Sequence, residues 1–183
     1  MRSLCHAALS DLAGVVDKLD EAGLGRVVDE IAVAGSIALF GVGREGLQIR
    51  GLCMRLFHLG LPVAMVGDMT TPALGKDGLL IVSAGPGGFS TVNGLIGVAK
   101  AAGARVMVVT AQPHGTAAAL ADCVLHIPAQ TMADDHRAKP STLPMGSLFE
   151  GAQYLIFEIL VLALRDRLAV APEAMRARHT NLE

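Results

Sequence analysis

Ile37-Ala38-Leu39-Phe40-Gly41-Val42-Gly43-Arg44-Glu45-Gly46 is the stretch whose reading decides the fold. Four apolar residues run into glycines, and a long helix-forming segment follows. A strand that feeds a helix through glycines leaves backbone N–H groups free at the positive end of the helix dipole, which makes an anion seat. The same order recurs outward along the chain. Apolar runs over 37–40, 62–66, 79–82, 105–109 and 123–127 predict strands. Periodic stretches over 44–59, 90–102 and 145–167, with shorter ones over 115–121 and 172–179, predict helices. Gly60 with Pro62, Gly103 and Pro128 punctuate them. The run over 79–82 lacks polar alternation, which fits a strand buried on both faces. Alternating strands and helices predict an α/β fold: a five-stranded parallel sheet sandwiched between helices, with ligands at the carboxyl ends of the strands.

The first 34 residues read as one or two helices. Leu4, Ala8, Leu12, Val15, Val16 and Leu19 recur at helical steps, the Gly23 and Gly25 pair reads as a break, and a second helix is expected over about 26–34. Residues 129–144 are polar and aperiodic, and read as a loop near the site. Nothing in the pattern calls for a second domain, so residues 1–183 form one unit with helical segments 1–34 and 145–179 packed on it.

Composition narrows the function. With 52% apolar and 17% charged residues, 183 residues suffice for a sizeable core. A net charge of −2 without a basic block, no Trp and one Tyr argue against nucleic acid. Cys5, Cys53 and Cys123 have neither metal-ligand nor disulfide spacing, which suits a reducing cytoplasm. His6, Asp11 and Asp17 interrupt any apolar signal segment at the start. The apolar run over 154–164 contains Glu158 and is too short to span a bilayer, so it reads as a buried helix at a subunit contact.

Gly41, Gly43 and Gly46 also satisfy the dinucleotide pattern G-x-G-x-x-G, and Asp68 follows the second strand. Against a dinucleotide stand the helices that precede the strand, the lack of room for a substrate domain and the late position of Asp68. The plain alternative is that the glycines permit a tight turn and close packing. A second glycine turn, Ser83-Ala84-Gly85-Pro86-Gly87-Gly88, follows the run over 79–82. Two such turns at the ends of two strands define one crevice.

Taken together, several segments carry a resemblance. They are Gly43-Arg44, Met54-Arg55-Leu56-Phe57-His58-Leu59-Gly60, Thr70-Thr71-Pro72-Ala73-Leu74-Gly75-Lys76, Asp77-Gly78-Leu79-Leu80-Ile81, Leu143-Pro144-Met145-Gly146-Ser147-Leu148-Phe149-Glu150 and Arg178-His179-Thr180-Asn181-Leu182-Glu183. In order and over nearly the whole chain, they resemble the 6-phospho-3-hexuloisomerases of the sugar isomerase (SIS) domain superfamily. The resemblance implies a flavodoxin-like three-layer fold, homotetramers with sites at subunit interfaces, and no metal or organic cofactor. It also implies interconversion of 3-hexulose 6-phosphate and fructose 6-phosphate. Glu150 would then be the catalytic base and His179 an aid to ring opening or hydroxyl proton transfer. Without the resemblance, Glu150 reads as a first-turn helix acid and His179 as a histidine in a frayed terminus. His58 reads as packing at the end of its helix. Arg44 either pairs with an anion or caps the turn.

The binding residues implied are Gly43, Arg44, Glu45, Ser83, Ala84, Gly85, Pro86, Gly87 and Gly88. Here the chain departs from the pattern, G-R-S in the first loop and S-G-S-G-E/R-T in the second. Glu45 replaces a serine, Gly85 and Gly88 stand where a serine and a threonine belong, and Pro86 lacks an N–H. Each lost hydrogen bond to a charged group costs about 1.5–3 kcal/mol. A nearby carboxylate adds roughly 1–4 kcal/mol of repulsion toward phosphate. Two expectations follow: an isomerase with a modified phosphate grip, or a diverged relative that binds or isomerises a non-phosphorylated or amino sugar.

Overall fold

The computed structural model describes residues 1–136 and 141–182. Two helices lead, α1 (Arg2–Val16) and α2 (Glu21–Ala32). Then come β1 (Ser36–Phe40), α3 (Gly43–Leu59), β2 (Val63–Met65), β3 (Gly78–Ser83), α4 (Ser90–Ala101), β4 (Arg105–Thr110), β5 (Cys123–His126), α5 (Ser147–Arg167) and α6 (Pro172–Ala177). Every strand pair is parallel, in the order β2-β1-β3-β4-β5. That is the flavodoxin-like order, whose reversal point lies between β1 and β3. The two glycine turns follow those two strands, so the topology brings them together.

Apolar side chains alternate across the sheet and fill two cores. Ile37, Leu39, Leu79, Ile81, Met107 and Val109 face α2, α3 and α5. Ala38, Leu80, Val82, Val106 and Val108 face α4. All six residues of β3 are buried, as a central parallel strand requires. α5 is long and apolar enough by length and composition to cross a membrane, longer than the 154–164 run suggests. It is instead a core helix: Phe149, Ala152, Ile156, Phe157, Leu160 and Leu164 pack inward, while Tyr154, Leu155, Ile159 and Leu162 stay exposed.

Two local expectations need correction. The break between the first helices falls at residues 17–20, and Gly23 and Gly25 lie inside α2. Asp20, in an extended conformation, is the N-cap. A Cβ on Gly23 would lie 2.7 Å from Asp20 Oδ2, so the glycine gives the capping acid room rather than ending the helix. The segment over 115–121 forms only a single 3₁₀ turn, Ala118–Leu120. Part of the 129–144 loop, residues 137–140, lies outside the described residues.

Gly60 closes α3 in the left-handed conformation (φ 88°). Arg178 lies over it and donates to the His58 carbonyl at 3.0 Å, which docks α6 on the end of α3. At the other end, α3 lies so close to β1 that a Cβ on Gly46 would come within 2.4 Å of the Gly41 carbonyl oxygen. Gly46→Ala should therefore push α3 away from β1. A loss of about 1–3 kcal/mol in urea unfolding is expected, and an unchanged midpoint would contradict this contact.

Candidate active site

The carboxyl ends of β1 and β3 open into a cavity of about 450 Å³. Its wall includes Gly43, Arg44 and Glu45 from the first turn of α3, Pro86 and Phe89 from the second glycine turn, Thr131 and Met132, and Phe149 with Glu150 from α5. The volume suits a six-carbon ligand. The 129–144 loop thus borders the site, as expected.

α5 enters through two left-handed residues, Met145 (φ 54°) and Gly146 (φ 80°). A non-glycine residue in that region is uncommon and costs free energy, and here it immediately precedes Gly146 of the cavity wall. The turn is held by Arg44. Its guanidinium donates to the Met145 carbonyl and to Ser147 Oγ (2.8 Å), and lies 3.2 Å from Glu150 Oε1. Arg44 therefore both pairs with an anion and caps a turn, the anion being Glu150. The Glu150 side chain is only 15% exposed. Burial pushes its carboxyl up from the ordinary glutamate range. Arg44 pulls it back, and the charge of Glu45 pushes it up again.

Glu45 does not point away from the crevice. It is 8% exposed and reaches across to the second turn. Its Oε2 accepts from Ser83 Oγ at 2.5 Å and from the Gly85 N–H at 2.9 Å. Behind Ser83, Gln153 Nε2 donates to the same hydroxyl at 2.8 Å. Burial pushes the Glu45 carboxyl up, against the two hydrogen bonds that favour its charged form. Gly85 belongs to the same arrangement: a Cβ there would meet Phe149 Cε1 at 2.8 Å and Glu45 Oε1 at 2.9 Å. The inward Glu45 side chain therefore depends on the missing side chain at Gly85. At Gly88 a Cβ would lie 2.2 Å from Thr116 Oγ1. Gly87 turns with φ 104°, and Thr110 Oγ1 braces the turn by donating to the Ala84 carbonyl at 2.7 Å.

His179 is not brought to Glu150 within the subunit. Its ring stacks on His58, with centroids 5.3 Å apart, at the far end of α3. The 17 residues of α3 put that end about 25 Å from the crevice. Residue order cannot reveal this separation. His58 is buried at the end of its helix, as expected. Asp68 lies in a separate crevice with Arg50, Cys53 and Thr70, away from the glycines it would serve in a dinucleotide site. Among the described residues, no three His, Cys, Asp or Glu side chains converge to hold a metal ion.

Sequence reasoning missed Gln153, Phe89, Thr131, Met132 and Phe149. Gln153 carried a signal: it is the polar position in the otherwise apolar buried stripe of α5. A larger, more polar crevice of about 590 Å³ adjoins the ends of β4 and β5, lined by Asp11, Lys18, Gln112 and His126 among others. The coupled carboxylates at 45 and 150 lie outside it.

The chain matches no protein-family model. It is 39% identical over 181 residues to a 3-hexulose-6-phosphate isomerase of Mycobacterium gastri, covering 99% of this chain and 89% of the relative. This chain belongs to the 3-hexulose-6-phosphate isomerase family. A second relative of that name, from Methylomonas aminofaciens, is 33% identical over the full length of both chains. A solved structure of a hypothetical protein from Methanococcus jannaschii, whose description infers 3-hexulose-6-phosphate isomerase function, superposes with a TM-score of 0.81. It is 28% identical and covers 98% of this chain and 97% of its own. A putative sugar-phosphate isomerase from Listeria monocytogenes, 19% identical, shares the fold with a TM-score of 0.79, covering 97% of this chain and 95% of its own.

The raised Glu45 carboxyl links folding to pH. The folded protein keeps this proton above the ordinary glutamate value of 4.5, so it binds more protons than the unfolded chain in that window. Stability is therefore lost as pH rises through it. Glu45→Gln has no such titration, so its stability relative to the wild type should grow from about pH 4.5 upward. Parallel stability profiles from denaturant melts across pH would contradict an ionising, buried Glu45.

Proposed function

We propose that this protein interconverts 3-hexulose 6-phosphate and fructose 6-phosphate, with Glu150 as the proton carrier. The observation that carries the reading is Glu150 itself. It is a mostly buried carboxylate raised by its surroundings, opening on a hexose-sized cavity between two glycine turns, in a chain of this family. Moving a carbonyl from C3 to C2 needs no net redox partner. The Glu150 carboxylate takes the C2 proton of the 3-ketose, and the electron pair of that C–H bond becomes the C2–C3 double bond of an enediol as O3 gains a proton. Collapse from O2 then forms the C2 carbonyl, O2 loses its proton, and the protonated Glu150 returns a proton to C3. One group serves both steps if its pKa lies near the working pH.

Arg44 holds Glu150 in place and favours its ionised form. The hydroxyl proton transfer between O3 and O2 is assigned to His179. That role requires the α6 of one copy to face the crevice of another. A homotetramer with sites at subunit contacts meets this requirement. Exposed Leu47, Met54 and Phe57 on α3 and Tyr154, Ile159 and Leu162 on α5 support it, because such apolar surface favours burial. Free Cys5, Cys53 and Cys123 fit a cytoplasmic enzyme.

Turnover of fructose 6-phosphate by the purified protein tests the reading. Glu150→Gln should lower kcat by about 10²–10⁴-fold; retained turnover would remove Glu150 from the mechanism. Arg44→Met removes the positive charge that holds the Glu150 pKa down. The acid limb of kcat/KM should therefore move to higher pH, and a limb that stays put or moves down would contradict the pairing.

A further inference from the structure

The Glu45 carboxylate sits where a ligand anion would find its donors. Behind the wall residue Glu45, the end of β3 holds two well-placed protons, on the buried Ser83 Oγ and the Gly85 amide, and both point at Glu45 Oε2. The Ser83 hydroxyl is locked in that sense. Its oxygen accepts from Gln153, so its own proton is committed to Glu45. Gln153 is fully buried, and its Oε1 has no hydrogen-bond partner. No cation pairs with Glu45 among the described residues, because the arginine beside it, Arg44, gives its charge to Glu150. Gly85 leaves the space into which the carboxylate extends.

We propose that Glu45 is a tethered anion. Its carboxylate fills the seat at the end of β3 that a phosphate group would use, and so sets how tightly the crevice holds phosphate esters. A phosphate enters only when Glu45 is neutralised by a proton or swings out. The choice of a phosphate ester rests on the isomerase reading; the occupied donors do not depend on it. The charged groups that face Glu45 are Glu150 on α5 and Arg44 on its own helix. β3, the turn over 84–88 and the wall residues Thr131 and Met132 bring no titratable group. Glu150 adds negative charge and neutralises the arginine, so among the described residues of the wall no positive charge offsets an ionised Glu45. Anion affinity therefore falls as pH rises. The upward push of burial on this carboxyl extends the permissive range above ordinary acid pH.

Calorimetric titration with inorganic sulfate tests this, because the charge of sulfate does not change over the working pH range. Wild type, Glu45→Ser and Glu45→Gln are compared at mildly acidic and mildly alkaline pH. Both variants should bind sulfate roughly tenfold tighter than wild type at alkaline pH, the size of a like-charge repulsion across a part-buried site. The advantage should shrink at acidic pH. Glu45→Gln keeps the side-chain shape and covers the case in which Glu45→Ser does not fold. Variants that bind sulfate no better than wild type would overturn the proposal. So would wild-type binding of a cationic amino sugar that is lost in Glu45→Gln, for Glu45 would then be a ligand contact. Turnover of fructose 6-phosphate by the wild type separates the two readings. Turnover without a sulfate gain sinks the tethered anion alone, and a sulfate gain without turnover sinks the isomerase alone.

Discussion

α3 leaves β1 with the Gly46 backbone against the Gly41 carbonyl, and no side chain fits between them. That contact sets the direction of the first turn of α3 at the reversal point of the sheet. It brings residues 44 and 45 over the ends of β1 and β3, where a doubly wound sheet places its ligands. Arg44 then meets the start of α5, and Glu45 meets the end of β3. The positions of both carboxylates follow from one glycine-to-glycine approach.

The charges in the crevice do not cancel. Of the two carboxylates only Glu150 pairs with the arginine, and the charge of Glu45 raises the proton affinity of Glu150. For Glu150 this suits proton transfer, since a carboxyl nearer neutrality both takes and returns a proton readily. For Glu45 the cost is burial, partly offset by the Ser83 hydroxyl and the Gly85 amide. Gln153 links the two sides, because it stands on α5 behind Phe149 and Glu150 yet holds Ser83 on β3. A ligand that displaces Glu45 would therefore be felt at α5 as well.

The sheet was legible in the sequence because its strands are short apolar runs between glycines and prolines, and both glycine turns stand where the pattern places them. Glu150 and Arg44 were legible through motif order, and geometry unites them. The helix break at 17–20 was hidden because Gly23 serves a cap rather than a stop. The orientation of Glu45 was also hidden. A glutamate in a first helical turn is ordinary, and only the empty space at Gly85 explains why this one turns inward. The separation of His179 from Glu150 depends on where α6 docks, which is decided by the clamp of Arg178 on the end of α3.

The most direct test of the account is proton exchange followed by NMR. Fructose 6-phosphate is incubated with the protein in D₂O, and the proton on C3, next to the C2 carbonyl, is observed. Removal of that proton by Glu150 and its return from a solvent-exchanged carboxyl predicts loss of the C3–H signal with wild type and its persistence with Glu150→Gln. A C3–H signal that persists with folded wild type, or exchange that survives in Glu150→Gln, would contradict it.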